Sequence, residues 1–595
     1  MKQFLLTVAG VLVGLVVFTV ALPFALMGLA ASLTRPAPVA AHTVLDLDLR
    51  GPLTDQTPQG GLALFSGGAL SVVGVEQAID AAAADPRIGG LFVRLPDAGM
   101  APAAADELRG AFLRFRAAGK PILAYSQGFY PQGVSTATYE LGAASGDLWM
   151  QPSASFQTTG IAAEDVFLKK FFDRYGVVAD YQQRYQYKTA VNPYLYDDYT
   201  PAQRQSELSW MGSVFDTSLA AAAADRRLQP AVLEAAIEAG PYSAQDARAK
   251  GLIDRTGEVK QAQDAILAAA GAGAKLAPFT GYLARARARG AGASGPQIAL
   301  IQAEGDIVTG TGAHQSLVAG GQNIYSDDLS RAFYAAIADP QVKAIVFRLS
   351  SPGGVDTASE QIAAAVRAAK AAGKPVVVSM GEYGASGGYW ICAGASQIIA
   401  EPSTLTGSIG VFGGKFALGP ALARFGVDMR GLSVGGAYSS AFGAAQAMTP
   451  AQSAAFGAWL DRIYASFVGR VAAGRHLPVQ QVEAIAKGRV WTGVQAKSLG
   501  LVDALGGLPL AIDRAKALAG LSGPVRLKPF GVSTSPFAAL ARLFGAGAGG
   551  VRLMAAAADL ARDPDSRALI GTLHDARLRE AGATVLAPEV LGQGG

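Results

Sequence analysis

A serine at position 386 stands in a sequence that suits a nucleophile. Residues 383–390 read Tyr-Gly-Ala-Ser-Gly-Gly-Tyr-Trp, after an apolar run typical of a strand and before one typical of a helix. The glycines leave room for a substrate, and backbone N–H groups at the start of a helix can stabilise an oxyanion. The chemistry would be acyl transfer through Ser386. The same sequence also fits a structural strand-to-helix turn, and the pattern alone leaves both interpretations open.

A nucleophilic serine needs a general base, and histidine is scarce in this chain. Four histidines and one cysteine occur among 595 residues, which argues against a metal site and excludes an internal disulfide. Lysine can act as the base when burial lowers its pKa. Lys188 lies among aromatic and small residues, in the sequence Tyr-Gln-Tyr-Lys-Thr-Ala-Val at 185–191. It is either this base or a surface lysine, as most lysines are.

The composition describes a folded protein with no sign of a nucleic-acid partner. Hydrophobic residues make up 50% of the chain and charged residues 16%, which excludes intrinsic disorder. Fifty Lys and Arg against 46 Asp and Glu give a net charge of +4, too small an excess to meet a phosphate backbone. No sequence feature predicts a cofactor.

The elements that must position these residues occur twice. Short apolar runs bounded by Gly and Pro alternate with longer helical stretches, which predicts an α/β fold in each copy. We predict a first domain over 44–270, a linker over 271–296, a second domain over 297–520 and a C-terminal tail over 521–595. The repeated stretches, first 254 and later 249 residues apart, are 85–95 with 339–349, 117–121 with 371–375, 200–203 with 449–452, and 251–254 with 500–503.

The two copies diverge where the chemistry is expected. The first copy has no Ser-Gly-Gly sequence at the place that corresponds to Ser386, and the second has Ser439 where the first has Lys188. One copy therefore keeps the serine and the other the lysine. This complementary loss predicts a single active site that draws on both domains.

The amino terminus carries a long apolar run. Residues 4–33 contain no charged side chain, and about 30 residues at 1.5 Å each exceed the thickness of a bilayer core. This length favours an uncleaved membrane anchor over 1–40 rather than a cleaved signal peptide. The weak charge bias places the rest of the chain on the outer side.

Four motifs together resemble the signal peptide peptidase SppA (protease IV) family in its long, duplicated form. They are Tyr-Lys-Thr-Ala-Val-Asn-Pro-Tyr at 187–194, Ser-Pro-Gly-Gly at 351–354, Tyr-Gly-Ala-Ser-Gly-Gly-Tyr-Trp at 383–390 and Leu-Thr-Gly-Ser-Ile-Gly at 405–410. The resemblance implies a serine peptidase with a Ser/Lys dyad, built from two tandem Clp-protease/crotonase-like domains behind an N-terminal transmembrane helix.

The resemblance also implies roles for particular residues, an oligomeric state, a cellular location and a substrate class. It implies Ser386 as nucleophile, Lys188 as general base and Ser408 as the hydroxyl that positions the lysine, with the backbone of Gly353 and Gly387 as the oxyanion hole. It further implies a homotetramer in the bacterial inner membrane that faces the periplasm and cleaves hydrophobic peptides, the remnants of signal peptides. Two alternatives remain: a crotonase-type acyl-CoA enzyme, and a non-catalytic membrane-tethered scaffold.

Overall fold

The computed structural model describes residues 39–56, 70–291, 295–312, 323–531 and 585–586. The predicted anchor over 1–40 lies outside these ranges except for its last two residues. Within the described ranges, no helix combines the length and the hydropathy needed to cross a bilayer.

Strands and helices alternate along both halves of the chain. The strands are β1 Thr43–Asp48, β2 Leu53–Thr54, β3 Leu70–Ser71, β4 Ile88–Arg94, β5 Ile122–Ser126, β6 Leu148–Met150, β7 Ser155–Phe156, β8 Val178–Gln183, β9 Tyr242–Ser243, β10 Arg255–Thr256, β11 Lys275–Pro278, β12 Gln297–Glu304, β13 Asp306–Val308, β14 Asn323–Tyr325, β15 Val342–Ser351, β16 Gly353–Gly354, β17 Val376–Ala385, β18 Gln397–Ala400, β19 Leu405–Gly407, β20 Phe412–Ala417, β21 Val490–Thr492, β22 Ala504–Leu505, β23 Arg526–Phe530 and β24 Val585–Leu586. The α-helices are α1 Val72–Ala84, α2 Pro102–Ala117, α3 Ser135–Ala143, α4 Lys169–Tyr175, α5 Asn192–Leu195, α6 Pro201–Arg226, α7 Pro230–Glu238, α8 Ala244–Ala249, α9 Val259–Ala270, α10 Phe279–Ala291, α11 Ser326–Ala338, α12 Asp356–Ala371, α13 Gly387–Cys392, α14 Gly419–Ala423, α15 Pro450–Arg475, α16 Val479–Ile485, α17 Gly493–Ser498 and α18 Leu508–Leu518. The alternation confirms the predicted α/β class.

Each half is built on a parallel sheet with the same strand order. The first sheet runs β10-β6-β5-β4-β1-β11, and the second contains the equivalent order β22-β18-β17-β15-β12-β23. In the second sheet β17 also pairs with β19, which pairs with β21 in the antiparallel sense. Helices cover the sheets, so central strands are apolar throughout rather than alternating: in β15 every residue from 344 to 351 except Arg348 and the serines is hydrophobic, and all are buried.

The sheets extend beyond the predicted domain boundaries. Within the predicted linker 271–296, β11 pairs in parallel with β1, and α10 follows it. Within the predicted tail, β23 pairs in parallel with β12. These assignments are corrected: each segment supplies the edge strand of its sheet. The glycines and alanines that indicated a linker lie partly in the turn before β11 and partly in α10, and backbone pairing with β1 holds β11 in the sheet.

One antiparallel ladder joins the two halves directly. Strand β8 of the first half pairs with β20 of the second, from Val178 opposite Ala417 to Gln183 opposite Phe412. Beyond the ladder, Arg184 N donates to Val411 O at 2.8 Å. The chain that follows β8 is therefore laid across the second half, and it contains Lys188.

A buried ion-pair network also connects the halves. Arg348 on β15, with a side chain only 1% exposed, contacts Asp55 and the carboxylate of Glu107, whose oxygens lie 2.6 and 3.0 Å from its guanidinium nitrogens. Glu107 also accepts a hydrogen bond from Leu508 N at 2.9 Å. Arg348 supplies the positive charge between two carboxylates inside the interface. Burial alone would lower the pKa of Arg348, but these carboxylates raise it well above the usual range.

Replacing Arg348 with methionine should destabilise the contact between the halves strongly. The substitution leaves Asp55 and Glu107 buried without their cation, a change that typically costs about 3–5 kcal/mol. The measurement is the midpoint of urea unfolding. The control is Arg367→Met, which removes a 2.7 Å pair with Glu360 whose arginine side chain is 46% exposed. Such a pair contributes about 0–1 kcal/mol, so equal midpoint shifts in the two variants would contradict the prediction.

Candidate active site

Ser386 sits at a strained turn between β17 and α13. Its backbone has φ 54° and ψ −118°, a conformation that L-residues rarely adopt. Ser386 N donates to Gly407 O and Trp390 N donates to Ser386 O, both at 2.9 Å, so the turn is held on both sides. The side chain is fully buried. A sharp strand-to-helix turn of this kind projects the hydroxyl away from the sheet, where a partner can reach it.

The partner is Lys188, which follows β8 in the chain and lies against the second half because β8 pairs with β20. Lys188 Nζ lies 2.7 Å from Ser386 Oγ, across 198 residues of sequence. It lies 3.0 Å from Ser408 Oγ and 3.2 Å from Ser408 O. The structure thus brings together Ser386, Lys188 and Ser408, and it does so within one chain. The sequence left open whether the pair meets within or between chains.

The lysine is held in an environment that favours its neutral form. Its side chain is fully buried, and burial lowers the pKa of Lys188 well below the usual range. Desolvation acts alone here, because the groups that meet Nζ are two serines rather than carboxylates. A neutral amine 2.7 Å from a hydroxyl can accept its proton. The surface-lysine interpretation of Lys188 is therefore excluded by its position.

The two glycines predicted for the oxyanion hole lie in different elements, Gly387 in α13 directly after Ser386 and Gly353 in β16. Gly387 is the first residue of α13, so its N–H has no acceptor within the helix. Gly353 forms β16 with Gly354, and its N–H donates to Ser351 Oγ at 3.2 Å. The backbone of Gly353–Gly354 pairs in the antiparallel sense with Val585–Leu586 from the end of the chain. The β16 edge is thus able to take an extended strand.

Glu382, the acidic residue nearest to Ser386 in sequence on β17, is directed into the interface between the halves. Its carboxylate accepts a hydrogen bond from Ala103 N at 3.0 Å, and burial raises its pKa to about 8. The side-chain groups that contact Lys188 Nζ are instead the hydroxyls of Ser386 and Ser408. The acidic catalytic group that the acyl-CoA alternative needs is therefore not supplied by Glu382. In the described part of the chain, no group of three or more His, Cys, Asp or Glu is placed to hold a metal ion.

Sequence reasoning missed the turn over 486–489, which packs directly against Lys188. Lys487 O accepts a hydrogen bond from Tyr187 N at 3.1 Å, and Arg489 O accepts one from Ser408 N at 2.8 Å. A signal was present in the duplication. Gly488 corresponds, at the offset of 249, to Ala239 in the first copy, and the copies differ there as they do at Ser386 and Lys188.

Comparison with known proteins gives a consistent result. The model of Peptidase family S49 matches residues 114–273 and 368–522 of this chain, one stretch in each half. Protease 4 of Salmonella typhi is 32% identical over 506 residues, which cover 81% of this chain and 79% of that protein. The chloroplastic serine protease SPPA of Arabidopsis thaliana is 28% identical over 510 residues, covering 81% of this chain and 70% of that protein.

Among solved structures, the ClpP1 N165D mutant from Listeria monocytogenes aligns with a TM-score of 0.23 at 14% sequence identity. The alignment covers 36% of this chain and 94% of that chain. Because this TM-score is low, the fold class is based on the strand order of the two sheets and not on this match. The finer Clp-protease/crotonase-like assignment stays a prediction.

Proposed function

The chain belongs to peptidase family S49 and is a serine peptidase of the SppA/protease IV type, and from this premise we propose that Ser386 and Lys188 perform its chemistry. The observation that carries the proposal is the 2.7 Å separation of Lys188 Nζ and Ser386 Oγ in a fully buried setting. Ser408 acts on the lysine rather than on the substrate, because its hydroxyl lies 3.0 Å from Nζ and fixes its direction.

The proposed reaction has two halves. Neutral Lys188 accepts the Ser386 proton while Oγ bonds to the peptide carbonyl carbon, and the carbonyl π electrons move to oxygen. When the C–N bond breaks, the resulting ammonium returns the proton to the leaving nitrogen. Water then attacks the acyl-serine, with Lys188 taking its proton, and the carboxylic acid leaves as Ser386 regains a hydrogen. Backbone N–H groups of Gly387 and Gly353 would stabilise the oxyanion, once the Gly353 amide exchanges Ser351 Oγ for the substrate oxygen.

Extended peptides are the substrates that this site would accept. The pairing of Val585–Leu586 with β16 supports a substrate strand that adds to Gly353–Gly354 beside Ser386. We propose hydrophobic peptides, the remnants of signal peptides, because the uncharged run over 4–33 would tether the enzyme where such peptides remain. The same run supports location in the bacterial inner membrane with the catalytic domains in the periplasm.

Association into a homotetramer is part of the same proposal. It is supported by exposed apolar side chains on the second half, since a soluble surface seldom leaves such groups uncovered. Phe425 is 74% exposed, and Leu432 and Val434 are almost completely exposed.

The substrate proposal predicts that the full-length protein in detergent cleaves an apolar peptide in preference to a polar one. The test compares kcat/KM for a peptide with a leucine-rich centre and for one of equal length with glutamine in place of leucine. We expect at least about a tenfold preference, because burial of several apolar side chains contributes a few kcal/mol. Equal rates would contradict the hydrophobic specificity while leaving the peptidase chemistry intact.

A further inference from the structure

The turn over 486–489 holds the segment that carries Ser408 and the segment that carries Lys188. It connects α16 to β21, and its residues Lys487 and Gly488 adopt positive φ of 61° and 85°. Gly488 N donates to Ile409 O at 2.8 Å, next to the bond from Ser408 N to Arg489 O. The segment that carries Ser408 is therefore tied to the turn through two backbone bonds. Because Tyr187 N donates to Lys487 O, the segment that carries Lys188 is tied to it as well.

Gly488 lies in contact with the backbone of Lys188. A Cβ atom at position 488 would stand 2.6 Å from both Lys188 Cα and Lys188 Cβ. Real Cβ atoms do not approach so closely, and the atoms that would have to move are not the free end of a flexible side chain. A substitution would therefore push the start of the lysine side chain away from the turn.

The first copy lacks this arrangement. Ala239, 249 residues before Gly488, has φ −81° and ends α7 in an ordinary right-handed conformation. The glycine with positive φ is thus found in the second half, against which Lys188 packs, and not at the corresponding position of the first half, to which Lys188 belongs. Glycine is the residue that adopts positive φ without cost, so both the backbone conformation and the close contact require it at 488.

Arg489 fixes the residue that precedes the lysine. Its guanidinium lies 5.3 Å from the Tyr187 ring centre and 4.3 Å from the Trp491 ring centre, so it contacts both rings. The Tyr187 hydroxyl donates to Gln205 Oε1 at 2.7 Å on α6. Contacts of this kind restrain Tyr187 in one position.

We propose that Gly488 is a positioning residue for the general base, and that the 486–489 turn sets the distance between Lys188 Nζ and Ser386 Oγ. The inference rests on the proposed Ser/Lys function and goes beyond it by naming what holds the lysine in place. The turn acts through Lys188 and has no part in bond making. Disruption of the turn would displace the Lys188 amine and expose this amine to water.

The test compares Gly488→Ala with Gly373→Ala in the full-length protein. Gly373 has φ +76°, and a Cβ there meets nothing within 4 Å, so the control shares the backbone strain without the contact. We expect kcat/KM of Gly488→Ala to fall about 10- to 100-fold, the effect of a misplaced catalytic group, and Gly373→Ala to stay within about twofold of wild type. The pH midpoint of kcat/KM should rise in Gly488→Ala, because a hydrated lysine regains a higher pKa. Partial unfolding would lower the rate without moving this midpoint.

A second variant keeps the inference testable if Gly488→Ala does not fold. Arg489→Gln removes the guanidinium between the two rings and leaves the backbone of the turn free to form. It should raise the same pH midpoint by a smaller amount and lower kcat more than it changes KM. The inference would be overturned if Gly488→Ala and Arg489→Gln both had the activity and the pH midpoint of Gly373→Ala. This holds even if Lys188→Met is inactive. Full activity of Lys188→Met would instead overturn the proposed function.

Discussion

Ser386→Ala is expected to abolish peptide cleavage, with kcat lowered by about 10⁴-fold or more. The reason is that no acyl-enzyme can form once Oγ is removed, and only binding and oxyanion stabilisation remain. The measurement is hydrolysis of an apolar peptide by purified protein, together with mass spectrometry of the acylated active-site peptide in the wild type. The substitution removes a single atom from a buried position, so the fold should be retained.

The matched control for this prediction is Ser135→Ala. Ser135 begins α3 in the first half, 251 residues before Ser386, and it is buried in the same way. Its removal should leave kcat within about twofold of wild type, because Lys188 does not contact it. Cleavage that persists in Ser386→Ala, or that disappears in Ser135→Ala, would show that the nucleophile lies elsewhere.

Lys188→Met is expected to lower kcat by about 10²- to 10⁴-fold, the usual contribution of a general base. Methionine keeps the apolar bulk of the side chain and removes the amine. In the wild type, kcat/KM should rise with pH along one limb, because only the neutral amine accepts the Ser386 proton. Burial lowers the pKa of Lys188, so the midpoint of this limb should lie well below the usual lysine value of 10.5.

The control here is Lys120→Met, in the same half of the chain. Lys120 Nζ donates to Ala82 O and Asp85 O, each at 2.6 Å, and has no contact with Ser386. Its loss should affect stability and leave the pH limb unchanged. A limb that survives in Lys188→Met, or one that vanishes when histidines are replaced, would identify another base.

The local chemistry of the site was accessible from sequence. Small residues around a serine at a strand-to-helix junction make Ser386 a candidate nucleophile, and the scarcity of histidine makes Lys188 a candidate base. The duplication then linked them, since each copy lacks what the other keeps. These inferences depend on residue types and short spacings, which local sequence carries.

The sequence determined two α/β copies, an apolar amino-terminal run and the pair of residue types suited to a serine peptidase. Only the tertiary structure shows that β8 pairs with β20, that β11 and β23 complete the sheets, and that Gly488 contacts the backbone of Lys188. The physical reason is that each of these depends on contacts between segments far apart in the chain. Lys188 and Ser386 are separated by 198 residues, and their 2.7 Å contact exists only because the two halves pack together. No local pattern encodes such a distance, because it follows from the packing of both sheets and the turn between α16 and β21.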